Sequence, residues 1–155
     1  MAGEHGFNRS NHYIPMDITK IPFNHFIGIT SQQNCTLSLP FTDDMNNHIG
    51  TMHASAQFAL GEACSGLALR HHFKHLEGKA VPVLRKTETK FHHPAETDIS
   101  ARAEISEKAK ERFLHQFERK GRAAITVSVM VVDSKGETTM SGNFTWFVAS
   151  INKPL

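Results

Sequence analysis

The chemistry in this sequence is concentrated between Asn46 and Glu62, which read Asn-Asn-His-Ile-Gly-Thr-Met-His-Ala-Ser-Ala-Gln-Phe-Ala-Leu-Gly-Glu. A loop of turn formers, residues 42–50, runs into a long segment of small and apolar residues. If that segment is a helix, the free N–H groups of its first turn face whatever the loop encloses, and Thr51 is placed to cap it. Such a terminus stabilises a developing oxyanion. Glu62 is the one charged residue in the window 54–69, ASAQFALGEACSGLAL. A lone carboxylate among apolar neighbours is costly unless it is hydrogen-bonded or paired, and its pKa rises, which suits a general base. The competing reading puts Glu62 on a wet face, hydrogen-bonded to a neighbouring loop.

The elements that must position these residues follow from periodicity. Residues 1–15 are polar and rich in Asn and His, a loose arm, and Asp17 to Phe26 is mixed, with room for a short helix. The expected division is an N-terminal arm over 1–23 and one domain over 24–155. Cys35, Leu37, Leu39 and Phe41 alternate with polar residues, a strand pattern. A helix over about 53–73, apolar nearly all round, must be buried on most sides. Gly61 and Gly66 weaken it and imply close packing against another backbone. Strand patterns then cover Val81–Phe91, Asp98–Ile105, Ala123–Val132 and Glu137–Ile151, with a hairpin turn at residues 133–136 and a helical excursion over Glu107–Phe117. On the first of these, Val81, Val83, Arg85, Thr87, Thr89 and Phe91 share one side. Short links imply antiparallel pairing. The predicted fold is α+β: a five-stranded antiparallel sheet curled around one long helix.

Composition narrows the function. The chain has 155 residues, 39% hydrophobic and 21% charged, which fits one folded domain. Two cysteines make no secreted-type disulfide framework, the N-terminus lacks a signal-peptide pattern, and no apolar run is long enough to span a bilayer. These features predict a cytoplasmic protein with no membrane insertion. A net charge of +2 does not argue for nucleic acid. Locally, six cations (Lys108, Lys110, Arg112, Arg119, Lys120, Arg122) face three glutamates (Glu107, Glu111, Glu118) over residues 106–122. This stretch is either a solvated face or, with Arg70 and Lys74, a site for phosphate groups. There are 11 histidines, among them His71, His72, His75, His92 and His93, but no HExxH or CxxC spacing, so no metal and no cofactor are expected. His48 is read as a loop residue and Cys64 as core, and Ser65 lacks a nucleophile elbow.

The order of elements, with Asn47-x2-Gly50-Thr51-Met52-His53-Ala54 followed by Glu62, resembles the hot-dog fold acyl-CoA thioesterases, and most of all the phenylacetyl-CoA-pathway branch. In that branch an Asn stands six residues before a His-Gly-Gly turn and an acid nine residues after the His. Here Asn47, His53 and Glu62 hold those spacings, and the resemblance covers about residues 24–151. Ala54 and Ser55 replace the two glycines, Glu62 replaces the commoner Asp, and His93-Pro94 stands where a serine-Pro pair is usual. The resemblance implies a thioesterase acting on an acyl-CoA or related thioester, as a homodimer or a dimer of dimers. It assigns catalytic roles to Asn47, His53, Glu62 of a partner subunit and the Ala54 backbone N–H. It places Gly50, Thr51, Met52, Ser55 and His93 at the substrate, with Arg119 and Lys120 near the CoA phosphates. A non-catalytic acyl-CoA-binding or regulatory protein is the alternative. A hydratase fits less well, because its His sits in a different loop.

Overall fold

The structure is a computed structural model that describes residues 16–152; the polar arm over residues 1–15 lies outside them. Its elements are α1 (Pro22–Ile27), β1 (Thr30–Ser31), β2 (Leu37–Leu39), α2 (Ala54–His72), β3 (Ala80–Phe91), β4 (Ile99–Glu104), α3 (Glu107–Lys120), β5 (Arg122–Asp133) and β6 (Thr138–Ser150). The strands form one antiparallel sheet in the order β1-β2-β4-β5-β6-β3. The sheet therefore has six strands rather than five. The extra one is the two-residue β1, which pairs with β2 through a turn whose central residues, Asn34 and Cys35, both have positive φ.

The sheet wraps α2 as in the hot-dog fold, and apolar alternation shows why. Leu37 and Leu39, Ile99 and Ala101, Ile125, Val127, Val129 and Val131, and Met140, Phe144, Trp146 and Val148 all turn inward and are buried. Against them lie Ala56, Leu60, Ala63, Cys64 and Ala68 of α2. Cys64 is core as expected: its thiol donates to the Ala101 carbonyl at 3.3 Å, and burial pushes its pKa up to about 12. The small residues let strands and helix approach. A Cβ on Gly61 would stand 2.7 Å from Met140 Cε, so the intrusion it avoids is by side chains and not by another backbone. Glycine in a helix interior costs about 1 kcal/mol relative to alanine, and at Gly61 the packing of β6 offsets it.

Strand β3 departs from its expected pattern. Only Ala80, Leu84 and Thr87 are half-buried, while Val81, Val83 and Phe91 are exposed. The register against β6 shifts between Leu84 and Lys86, so the inward parity changes at Arg85. One extra residue breaks a period-two reading in this way. The Arg85 guanidinium lies 3.8 Å from the centre of the Phe147 ring. Helix α3 is longer than the expected excursion; Ser106 caps it and Gly121 ends it with a left-handed backbone. No helix among the described residues is long and apolar enough to cross a membrane.

Candidate active site

The loop before α2 is held by one side chain. Asn47 Oδ1 accepts from the N–H groups of Ile49 (3.0 Å) and Thr51 (3.1 Å), and its Nδ2 donates to Thr51 Oγ1 (2.8 Å). The Asn47 N–H reaches the Thr51 carbonyl at 2.8 Å, and Gly50, with φ of 78°, turns the chain between them. The loop is docked by Met52 N–H to the Ala95 carbonyl (2.8 Å) and His53 N–H to the Met45 carbonyl (2.7 Å). Met52 is fully buried, a core residue that anchors the loop. Thr51 is consumed in this network and does not cap α2. That role belongs to His53, whose Nδ1 accepts from the Ser55 N–H at 3.0 Å. Threonine at that place looked like a cap because hydroxyls suit the position; the loop instead delivers an imidazole there. An Nδ1 that accepts leaves the ring proton of a neutral imidazole on Nε2, which is therefore a donor. Replacing Asn47 with alanine removes three side-chain hydrogen bonds. It is expected to lower stability by about 1–3 kcal/mol, read from urea denaturation midpoints.

The first turn of α2 then has one unused donor. Ser55 N–H goes to His53, and those of Ala56 and Gln57 go to the His53 carbonyl at 3.0 and 3.3 Å. Among the described residues, the Ala54 N–H has no partner, and Ala54 and Ser55 are exposed. A free N–H at a helix start can hold a carbonyl oxygen as it becomes an oxyanion. Gln57, buried to 4% exposure within the same turn, has no donor for its Oε1. Sequence reasoning passed over it as one polar residue in an apolar run. A buried carbonyl oxygen of this kind marks a place for a water or ligand N–H.

Glu62 sits on the less buried arc of α2, in line with Phe58 one turn before it and Gly66 one turn after. It has no hydrogen-bond or ion-pair partner among the described residues, and burial alone pushes its carboxyl above the usual range. No loop hydrogen bond of the kind considered for a structural Glu62 is present. Eight residues of helix separate it from Ala54, about 12 Å along the axis at 1.5 Å per residue. One chain therefore does not place its own carboxylate over its own free N–H.

Of the other sequence candidates, His93 lies in the connection from β3 to β4 that supplies Ala95, at the same end of the sheet as the start of α2. Arg119 and Lys120 lie at the opposite end. Their helix packs Phe113 on Phe73, just past the last turn of α2, with ring centres 4.7 Å apart, and it leads into the Arg122 end of β5. Within one chain they do not join His53 and Ala54. Arg70 is paired with Glu77 at 2.5 Å and Lys110 with Glu107 at 2.6 Å. No cluster of three or more His, Cys, Asp or Glu side chains that could hold a metal occurs among the described residues.

Comparison with known proteins bears on fold and family. Similar solved structures include a Pseudomonas aeruginosa protein named a probable thioesterase, with TM-score 0.71, 19% identity, and coverage of 90% of this chain and 99% of that one. A Haemophilus influenzae thioesterase has TM-score 0.68 and 15% identity, covering 88% of each chain. A Bacillus halodurans protein, solved with CoA, has TM-score 0.65 and 20% identity, covering 81% of this chain and 74% of that one. The fold is thus that of the hot-dog thioesterases. No curated protein matches the sequence at a significant level. The family model described as a domain of unknown function, DUF4442, matches residues 22–148, and the chain belongs to that family.

Proposed function

We propose that the protein is a thioesterase that hydrolyses an acyl-CoA to a free acid and CoA, with each site built from two copies of the chain. The observation that carries this reading is the pairing of a free Ala54 N–H with an unpartnered Glu62 about 12 Å further along the same helix. Two α2 helices packed antiparallel close that gap, setting Glu62 of one copy opposite Ala54 of the other. The exposed edge strand β3, with Val81 and Val83 uncovered, supplies a surface for such a pairing. The spacing of Asn47, His53 and Glu62 supports the phenylacetyl-CoA-pathway type within the superfamily, and the structural neighbour solved with CoA supports the leaving group.

In this reading the thioester oxygen accepts from the Ala54 N–H, with the Nε2–H of His53 beside it. Asn47 positions both by holding the loop. Glu62 of the second copy takes a proton from water as the water oxygen bonds to the carbonyl carbon. The tetrahedral adduct then expels the thiolate, the C–S bond breaks, and the proton passes to sulfur. Direct attack by the Glu62 carboxylate, followed by hydrolysis of the anhydride, uses the same geometry. Antiparallel helices also bring the far end of one copy, with Arg119 and Lys120, toward the loop of the other. Charge reversal there is expected to raise KM for acyl-CoA at low salt. Gly50, Ser55 and His93 shape the entrance from the loop side, while Thr51 and Met52, expected at the substrate, are buried beneath the loop and hold it instead.

A panel of acyl-CoA esters, with thiol release followed by a thiol-reactive dye, tests the activity, and light scattering tests the assembly. Thiol release from at least one ester by a species of two or four chains is the expected result. Binding without release from any ester moves the protein to the non-catalytic acyl-CoA binders. A monomer at micromolar concentration removes the two-chain site.

A further inference from the structure

At the end of α2 far from Ala54, about 24 Å along the axis at 1.5 Å per residue, the chain forms a cleft of about 330 Å³. That is the lower end of the range for small-molecule sites, about 300–1,000 Å³. Leu67, Arg70, His71 and Lys74 line it from one side. Their spacing is that of one helical face, carried on into the turn that follows α2. The single turn Ile18–Lys20 and the strands β1 and β2 line it from the other, with Ile18 and Leu37. The acids and the cations of the cleft are not equally committed. Asp17 Oδ1 accepts from the N–H of Thr19 at 3.0 Å and from its hydroxyl at 2.8 Å, and Glu77 accepts from Arg70 Nε at 2.5 Å. Glu77 thus holds the guanidinium by Nε. The two terminal nitrogens of Arg70, with four N–H donors, have no hydrogen-bond partner among the described residues, and neither has Lys74 Nζ. The Arg70 side chain is only 28% exposed, so these donors are partly withdrawn from water, where leaving them unpaired is costly.

We propose that this cleft is a second binding site, for a small organic carboxylate, with Arg70 as its recognition residue. The carboxylate bridges the two terminal nitrogens of Arg70, Lys74 closes over it, and the apolar body of the ligand rests on Ile18 and Leu67. The planar fork of a guanidinium matches a carboxylate in this two-bonded way. Charge at the cleft favours a carboxylate over a phosphate. Asp17 and Glu77 nearly offset Arg70 and Lys74, and the last carbonyls of α2 add about half a negative charge. An anion is therefore not drawn in from a distance but held by donors at contact, and a second negative charge on the ligand is poorly served. The site stands apart from the start of α2 and does not depend on the thioesterase reading.

The test is calorimetric titration of the full-length protein with benzoate, set against benzyl alcohol, its uncharged counterpart, and inorganic phosphate. Benzoate is expected to bind once per chain and about 10-fold or more tighter than either. Arg70→Lys leaves Glu77 a cation but removes the fork, and should weaken benzoate about 10-fold or more. Lys74 is exposed, so Lys74→Gln should weaken binding several-fold at an unchanged melting temperature, and it carries the test if Arg70→Lys fails to fold. Ala54→Pro should leave the benzoate affinity as it was. No binding at millimolar benzoate overturns the proposal, as does affinity unchanged in both Arg70→Lys and Lys74→Gln. Phosphate bound as tightly as benzoate removes the carboxylate class. Loss of benzoate binding in Ala54→Pro, or its displacement by CoA, places the ligand at the start of α2 and removes the second site.

Discussion

Ala54→Pro is expected to lower kcat about 100- to 1,000-fold while the protein stays folded. Proline at the first position of a helix is favourable, because its fixed φ suits the helix and the missing N–H has no partner inside it. The preceding residue must then be extended, and His53 already is, with φ −59° and ψ 138°. The cap from His53 goes to Ser55 and is untouched. The substitution therefore deletes one donor and little else, and one oxyanion donor is worth about 100- to 1,000-fold in kcat. Thiol release per folded molecule, with the melting temperature measured on the same preparation, checks it. Turnover close to that of the unsubstituted protein at unchanged melting temperature removes the Ala54 N–H from the mechanism.

Glu62→Gln is expected to cost about 100- to 10,000-fold in rate, the range for losing an acid–base group. Stability should move the other way. Burial holds the folded-state pKa of Glu62 above its unfolded value. Its contribution to stability is therefore fully present below the unfolded pKa and is lost as pH rises through the folded one. Above the folded-state pKa the ionised carboxylate is a liability that glutamine removes, so the melting temperature of the variant rises there, and the gain disappears in acid. A structural Glu62 gives the opposite pair of results, a lower melting temperature with turnover retained. The two variants also test the shared site. Refolded together in equal amounts, inactive Ala54→Pro and Glu62→Gln chains form mixed dimers with one intact site each, and about a quarter of full activity should return. No return of activity places both groups in one chain's site.

Much of this architecture is legible in the sequence, because burial imposes its period on the residues. The alternation Ile125, Val127, Val129, Val131 is a strand facing a core, and the structure buries all four. The start of α2 and its all-round apolar character follow from the small residues after His53 in the same way. Three things resisted. Strand β3 carries one extra residue near Arg85, and a fixed period cannot register a slip. β1 has two residues, too few to show any period. The cap was read as Thr51 from side-chain preference, but the tertiary network took Thr51 for Asn47 and left His53 to begin the helix. At the site, Glu62 stood out as the lone charge in an apolar helix and the family resemblance pointed to Asn47 and His53, while the buried, donorless Oε1 of Gln57 depends on three-dimensional surroundings that one polar letter does not encode.

Of the 19 residues of α2, five are alanine, two glycine and two serine. Such side chains have few or no rotamers, so ordering them costs little conformational entropy, and once folded they have little left to fluctuate. The Ala54 N–H and the Glu62 Cα are then held by backbone packed against a sheet, and their motion is that of the helix as a rigid body. Warming should not blur this geometry gradually. Catalytic rate should climb with temperature up to the edge of the cooperative melting transition and fall with it, with no earlier loss from local softening of the site.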